Sequence, residues 1–171
     1  INNIKIGLEH EPFIIAEMSG NHNQSLERAL EIVEVAATTG IHALKLQTYT
    51  AETITLDVKS SDFMIEDDNS LWNGKSLFDL YQEAHTPWEW HKPIIDRANE
   101  LGLICFSSPF DESAVDFLED LNVPAYKLAS PEIIHLPLIE KIISTGKPVI
   151  VSTGMASLDE ITMVVDMIKK S

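Results

Sequence analysis

Short apolar runs alternate along this chain with longer stretches in which apolar residues recur at every third or fourth position. Short runs of this kind are typical of strands covered on both faces, and the longer spacing is typical of amphipathic helices. Five strands are predicted on this pattern: Phe13–Met18, His42–Gln47, Leu103–Ser108, Ala125–Leu128 and Pro148–Ser152. Because a helical stretch follows each of them, the pattern predicts five right-handed βα units on a parallel sheet.

The predicted helices have recognisable ends. Gly40, Gly102 and Gly146 stand where three helices are expected to stop, since glycine readily takes the left-handed conformation that ends many helices. One helix is expected at roughly Leu136–Ser144 and another from Asp111 through Leu121. The expected starts are a cap at Gln24 or Ser25, a cap at Asp111, and capping boxes at Thr86–Glu89 and Ser157–Glu160.

Two segments depart from this alternation. Residues 1–12 alternate Ile4, Ile6 and Leu8 with other residues, which predicts a short strand ahead of the sheet. Residues 48–85 are rich in Asp, Asn, Ser and Thr, with one short helix expected around Ser76–Glu83. So long a connection within a compact domain is usually functional or disordered, and we expect an ordered lid or substrate loop.

The composition narrows the possible partners. The chain has 171 residues, 44% of them hydrophobic, which is enough apolar material for a core. A net charge of −15 repels nucleic acid and anionic membranes, so neither is expected to bind. No apolar run is long enough to cross a bilayer. The single cysteine, Cys105, is expected to be a buried core thiol, and its lack of an internal disulfide partner predicts a reducing, cytoplasmic location.

Each predicted strand ends in polar residues. They are Glu17, Lys45 with Gln47, Ser108, Lys127 with Ser130, and Ser152 with Thr153. Polar residues at the carboxyl ends of successive parallel strands are the arrangement of a (β/α)8 barrel active site, so the predicted fold is an α/β TIM barrel. Since such a barrel takes about 250 residues, we interpret the chain as the first five units of a larger protein.

The two lysines among these residues indicate an anionic ligand. Lys45 and Lys127 at one barrel mouth repel each other, which is tolerable when a multiply charged anion lies between them. The serine hydroxyls suit phosphate and carboxylate oxygens, so a small phosphorylated acid is the predicted ligand. Alternatives remain open: each serine alone could cap a helix or form a turn, Lys127 could form a Schiff base, and Glu17 could be a structural partner of a lysine.

Two common cofactor motifs are missing from the sequence. No GxGxxG motif follows the first strand, so a dinucleotide site has no support. The six histidines form no HxH or HxxxH pair, so a metal site within the chain has weak support. His22 follows the first strand closely, and it either lines the pocket or bonds to the backbone of a turn.

Five stretches carry a resemblance to a known family. They are IAEMSGNHN, ALKLQTYT, FSSPFD, AYKLASPE and KPVIVSTGMAS, and they span about residues 12–160. The chain thereby resembles the sialic acid synthases, which condense phosphoenolpyruvate with an N-acetylated amino sugar. AEMSGNHN and EAHTPWEWH resemble the pseudaminic acid branch of that family. The resemblance implies a (β/α)8 barrel followed by a small antifreeze-like domain, in a domain-swapped homodimer.

The resemblance also implies roles for individual residues. Those matching positions that hold phosphoenolpyruvate are Lys45, Ser108, Lys127, Ser130 and Ser152. Glu17 and Gln47 match positions near the sugar aldehyde and the metal. Phe110 and Glu132 match pocket walls, and Asn73 lies in the loop where a sugar-contacting asparagine is expected. The family usually has threonine at the position of Ser108, which keeps the hydroxyl. The expected catalytic residues are Glu17, Lys45 and Lys127.

The cofactor implied by the resemblance is a divalent metal, Mn²⁺, Mg²⁺ or Co²⁺, which orients the open-chain sugar aldehyde. The family's two metal-binding histidines match positions beyond Ser171, so this chain is expected to contain no metal ligands and to be inactive alone. The pseudaminic branch uses a diacetamido-trideoxy-altrose. The alternatives are an N-acetylneuraminate or legionaminic acid synthase and, outside enzymes, a truncated barrel that binds a ligand without turnover.

Overall fold

The computed structural model describes residues 1–170, and its centre is one sheet of five parallel strands. The strands are β1 (Ile15–Glu17), β2 (Ala43–Thr48), β3 (Ile104–Pro109), β4 (Tyr126–Leu128) and β5 (Val149–Val151). Each strand pairs with the next one along the chain, in the order β1-β2-β3-β4-β5. Sequential parallel pairing with helical crossovers makes a half-barrel, which confirms the predicted fold class.

Seven α-helices accompany the strands in the described part of the chain. They are α1 (Leu26–Ala37), α2 (Ala51–Ile54), α3 (Leu77–Ala84), α4 (Trp88–Glu100), α5 (Glu112–Asp120), α6 (Leu136–Ser144) and α7 (Leu158–Lys170). Single 3₁₀ turns lie at Ser61–Phe63 and Pro131–Ile134. None of the helices in residues 1–170 is long and apolar enough to cross a membrane.

The two faces of the sheet bury different side chains. Between the sheet and its helices lies the larger core, which includes Leu44, Leu46 and Cys105. Burial there raises the pKa of the Cys105 thiol to about 12, as expected for a core cysteine. The inner face carries a smaller apolar cluster that includes Ala43 and Phe106. Because side chains alternate along a strand, later residues of the same strands that share this face point into the barrel mouth.

Most of the predicted helix ends are confirmed. The Ser25 hydroxyl accepts a hydrogen bond from the Arg28 N–H at 3.2 Å, and the Asp111 carboxylate accepts two in the first turn of α5. Ser157 and Glu160 form the predicted capping box at the start of α7. Gly102 has a φ of +79°, where a side chain would be strained, as a helix-ending glycine requires.

Two local predictions are wrong. Residues 1–12 form turns and extended chain without a strand, and Leu8 is fully exposed, because their alternating pattern finds no neighbouring strand to pair with. The capping box at Thr86 does not form either. The Thr86 hydroxyl is hydrogen-bonded to His22 Nε2 at 3.1 Å, and Pro87 occupies the cap position of α4 without a side-chain bond. The Thr86 hydroxyl is therefore bonded to a residue distant in sequence and does not cap α4.

Candidate functional site

The inner face of β1 and β2 places a carboxylate and a lysine side by side. Glu17 is the register partner of Lys45, and their side chains form an ion pair. The Lys45 side chain is 15% exposed and the Glu17 side chain 39%. One step along the same face, Gln47 is the register partner of Ser108 on β3. The strand geometry therefore brings these four predicted site residues together at the carboxyl-terminal end of the sheet.

Lys127 lies on β4 and reaches the end of β5. Its Nζ donates hydrogen bonds to the Ser152 hydroxyl at 2.6 Å and to the Leu128 carbonyl at 2.7 Å. Burial lowers the pKa of Lys127, and the positive charge of Lys45 lowers it further. The two lysines therefore act on each other across the inner face, and a bound anion would relieve the repulsion.

The loops after β4 and β5 contact each other at the same carboxyl-terminal end of the sheet. A Cβ on Gly154 would lie 3.0 Å from the Ser130 hydroxyl, so the serine side chain abuts the backbone of the β5–α7 loop. Glu132 is half-buried in the 3₁₀ turn after β4, and burial raises the pKa of its carboxyl group. Its Oε2 atom is shut off from solvent without a hydrogen-bond partner in residues 1–170.

An aromatic cluster walls the mouth beside β2 and β3. Phe110 packs edge-on against Tyr49 at a ring distance of 5.4 Å, and Tyr49 packs against Tyr81 at 5.6 Å. Burial, followed by the charge of Tyr81, raises the pKa of Tyr49 to about 12. Phe110 thus packs against a residue that lines the cleft, and its role as a pocket wall stays a prediction. Tyr49 and Tyr81 are not among the residues predicted from the sequence, although Tyr49 stands two positions after Gln47 and so continues its face.

A cleft of ≈ 590 Å³ opens between the β1–α1 loop and α3. Its lining includes Ser19, Asn21, Gln47, Tyr49, Trp72 and Tyr81. The Ser19 hydroxyl donates to Gln47 Oε1 at 3.4 Å, so the loop and the barrel mouth are joined. A Cβ on Gly20 would lie 3.0 Å from the Ala84 carbonyl oxygen, which shows how closely α3 packs on this loop. The cleft is therefore continuous with the candidate site.

Asn73 is engaged within its own loop. Its Oδ1 accepts a hydrogen bond from the Asp67 N–H, and its Nδ2 donates to Asp68 Oδ1, both at 3.1 Å. It lines a separate depression with Asp68 and Gly74. The structure thus does not bring Asn73 to the other predicted residues, and its contact with a sugar stays a prediction.

Two buried histidines support the site from behind. His91 Nδ1 faces the Pro87 carbonyl at 3.3 Å and must donate to it, so Nε2 accepts from the Thr48 hydroxyl at 2.9 Å. Thr48 in turn lies 2.6 Å from the Ser107 hydroxyl. Burial lowers the pKa of His91 to about 4, so it is neutral near pH 7. Sequence reasoning gave His91 no role because its partners are distant in the chain.

His22 is the turn histidine of the two earlier alternatives. Its Nδ1 accepts from the Gln24 N–H at 3.3 Å, so Nε2 carries the proton and donates to Thr86. Burial lowers the pKa of His22, and the neighbouring His85 lowers it further. Its ring is fully buried. His22 therefore joins the β1–α1 loop to the start of α4 and does not line the mouth.

Residues 1–170 contain no group of three or more His, Cys, Asp or Glu side chains arranged to hold a metal ion. Glu17 is a possible single ligand, but it is paired with Lys45. These residues alone therefore do not fit the divalent metal that the resemblance implies.

Comparisons with known proteins identify the family. The NeuB family model matches residues 32–171. The chain is 43% identical over 159 residues to the pseudaminic acid synthase of Helicobacter pylori, a match that covers 93% of this chain and 46% of that protein. It is 34% identical to the N,N'-diacetyllegionaminic acid synthase of Legionella pneumophila, with 99% and 47% covered. The chain thus spans about half the length of the curated relatives it matches.

A solved structure gives the same answer. The crystal structure of the N-acetylneuraminic acid synthetase of Leptospira borgpetersenii, in complex with citrate, superposes with a TM-score of 0.82 at 30% identity. The match covers 99% of this chain and 54% of that chain. Together with the family model, it confirms the resemblance, and the chain belongs to the NeuB family.

Proposed function

We propose that the protein containing this chain is a phosphoenolpyruvate-dependent synthase that forms a carbon–carbon bond, and that this chain supplies most of the phosphoenolpyruvate site. The observation that carries the proposal is the pair of half-desolvated lysines on one inner face. Burial, followed by the charge of Lys45, lowers the pKa of Lys127 although the carboxylates of Glu17 and Glu132 act in the opposite direction, so further negative charge beside Lys127 would stabilise its ammonium form. A ligand with a phosphate and a carboxylate provides that charge.

The hydrogen bonds of Lys127 leave room for such a ligand. An ammonium group has three donors, and the structure uses two of them on Ser152 and Leu128. The third is available for an anion oxygen. Ser130 lies beside Gly154 after β4, and Ser108 lies beside Gln47 on β3. Both hydroxyls add donors without adding charge.

The proposed reaction has three steps. The methylene carbon of phosphoenolpyruvate attacks the aldehyde carbon of the open-chain sugar, and the carbon–carbon bond forms. Water adds to the resulting oxocarbenium carbon, and phosphate leaves by C–O cleavage. Lys45 and Lys127 hold the anion. Glu17, ion-paired with Lys45 and partly exposed, orients the aldehyde or transfers protons at it.

The proposed sugar is the diacetamido-trideoxy-altrose that gives pseudaminic acid. Its support is the higher identity to a pseudaminic acid synthase, 43%, than to a legionaminic acid synthase, 34%. Legionaminic acid synthesis is the second candidate, supported by the coverage of that match over 99% of this chain. The homodimer and the antifreeze-like domain implied by the resemblance stay predictions, as does the cytoplasmic location predicted from the single cysteine.

The test uses this sequence within a protein of the full length of its relatives, with divalent metal added. We expect phosphate release from phosphoenolpyruvate only when an amino sugar is present, fastest with the diacetamido-altrose, with the product identified by mass spectrometry. Faster release with the legionaminic precursor would favour the second candidate. If calorimetry shows that phosphoenolpyruvate binds but no amino sugar triggers phosphate release from it, the protein would be a ligand-binding barrel.

The 171-residue chain, assayed beside it, is predicted not to turn over. In the described residues β1 and β5 each pair with one neighbour, so the inner face stays open along both edges.

A further inference from the structure

The Tyr49 hydroxyl lacks a hydrogen-bond partner although its ring is buried. Tyr49 is 4% exposed, and its hydroxyl makes no hydrogen bond within residues 1–170, since the Trp88 Nε1–H donates to the backbone carbonyl of Tyr49. Buried tyrosine hydroxyls usually find a partner. The side-chain atoms of the described chain that are both unpaired and shut off from solvent belong to Asp111 and Glu132. The Tyr49 hydroxyl therefore opens to accessible space, and Tyr49 lines the cleft beside α3.

The chemistry of that cleft matches an acylamino group. Such a group has a methyl, a carbonyl acceptor and an N–H donor. Tyr81 and Trp72 supply aromatic surface for the methyl, and the Tyr49 hydroxyl can donate to the carbonyl. Asn21 uses its Nδ2 on the Met18 carbonyl at 2.9 Å, which leaves Oδ1 to accept from the N–H.

The two charged residues in the lining of the cleft, Arg28 and Glu83, are of opposite sign, so their charges cancel. Arg28 donates its Nε–H to the Asn21 carbonyl at 2.9 Å, and the Glu83 carboxylate is paired with Lys75. Lys75 also lies over the Trp72 ring, 4.9 Å from its centre. A neutral, amide-bearing group therefore fits the cleft better than a charged one.

We propose that this cleft is the subsite for an acylamino substituent of the sugar remote from its aldehyde, and that Tyr49 determines specificity by donating a hydrogen bond to the substituent's carbonyl oxygen. The proposal rests on the proposed function. Gln47 connects the two places, since it lies on the inner face one step beyond Lys45 and also lines the cleft. A sugar whose aldehyde lies at Glu17 and Lys45 extends past Gln47 toward Tyr49.

The test is Tyr49→Phe in the full-length protein, which removes only the hydroxyl. We expect the KM for a diacetamido hexose to rise about tenfold, while the KM for phosphoenolpyruvate stays unchanged. The KM for a monoacetamido hexose that lacks the remote substituent should change less than twofold. An equal rise for both sugars, or no rise for either, would overturn the subsite.

Tyr126→Phe is the matched control, because it makes the same change at another buried tyrosine. The Tyr126 hydroxyl is bonded to Glu119 on the outer side of the sheet, away from the cleft. This variant should lower the thermal midpoint without changing the KM of either sugar. A change in sugar KM there would show that losing any buried hydroxyl has the effect, and the assignment to Tyr49 would fall.

Failure of the proposed function would look different. The wild-type protein would then release no phosphate with any amino sugar. Calorimetry with the diacetamido sugar alone, on wild type and on Tyr49→Phe, would still decide the subsite. Weaker binding by the variant supports it, and equal binding or no binding overturns it.

Discussion

A buried serine hydroxyl is hydrogen-bonded to the protein on the outer face of the sheet but not on the inner face. The consecutive serines Ser107 and Ser108 show this difference. Both are almost fully buried, at 1% and 2% exposure. On the outer face, Ser107 belongs to a closed chain of hydrogen bonds through Thr48 to His91. On the inner face, Ser108 lies beside Gln47, and its hydroxyl makes no hydrogen bond within residues 1–170.

This difference separates support from recognition. The outer network is neutral and satisfied, and it ties the carboxyl ends of β2 and β3 to the first turn of α4. On the inner face, by contrast, burial disfavours the charged forms of two side chains. It lowers the pKa of Lys127 and raises the pKa of Glu132. Buried polar groups that lack partners indicate a ligand, whereas satisfied ones indicate structure. The outer network therefore fixes the strand ends from which the inner residues project.

The largest expected effect is that of Glu17→Gln in the full-length protein. If Glu17 acts on the aldehyde or its protons, turnover should fall by about 10²–10⁴-fold, while the melting temperature stays near the wild-type value. Glutamine keeps the size and one acceptor, so packing should survive. Steady-state phosphate release and a thermal melt check this.

Glu34→Gln is the control for that change. Glu34 also pairs with a cation, Arg97, but on the outer surface at 2.7 Å. Turnover should be unchanged there. If Glu17→Gln lowered the melting temperature and left turnover intact, its pair with Lys45 would be structural, and the inner face would resemble the outer one.

The next largest effect concerns the pH dependence of the outer network. Burial lowers the pKa of His91 from 6.5 to about 4, so the unfolded chain binds its proton more readily than the folded one. The stabilisation is complete above pH 6.5 and is lost as the pH falls toward 4. This pKa shift corresponds to a change on the order of 3 kcal/mol in the free energy of unfolding.

Urea denaturation of wild type and His91→Gln across this pH range checks the sign. His91→Gln should be less stable at pH 7, and the difference between the two proteins should shrink as the pH falls. His22, whose pKa is also lowered, contributes to both proteins and cancels. A difference independent of pH would show that His91 is not the titrating group.

Lys127→Ala tests the inner face directly. A charge-assisted hydrogen bond to a desolvated anion is worth about 1.5–3 kcal/mol, so the KM for phosphoenolpyruvate should rise roughly tenfold to hundredfold. The KM for the sugar should change much less. Equal effects on both substrates would contradict the anion role, and borohydride trapping of a substrate on Lys127 would favour the Schiff-base alternative. Lys147→Ala, at an outer ion pair with Glu119, is the control.

The sequence predicted the strands and the inner-face residues well because both depend on local periodicity. A strand alternates its faces, so Lys45 and Gln47 had to share one, and the register then aligned Gln47 with Ser108. Failures came where a distant contact decided the outcome. The Thr86 hydroxyl is bonded to His22, 64 residues earlier in the chain, and does not cap its helix. Tyr49 lies in the cleft because α3, which carries Tyr81, packs beside it. Pattern within a short window carries no information on such contacts.

The smallest effects, and the closest test of the two faces, are those of Ser107→Ala and Ser108→Ala. Ser107→Ala removes a donor to Thr48, so we expect a loss of about 1 kcal/mol in the free energy of unfolding and an unchanged KM for phosphoenolpyruvate. Ser108→Ala removes a hydroxyl without a protein partner, so stability should hold while that KM rises several-fold. Urea denaturation and steady-state kinetics on both variants give the four values. The opposite pattern, with Ser108→Ala losing stability and Ser107→Ala losing affinity, would place the ligand on the helix side and remove the distinction. Ser108→Thr should keep the wild-type KM for phosphoenolpyruvate, since it retains a hydroxyl at this position.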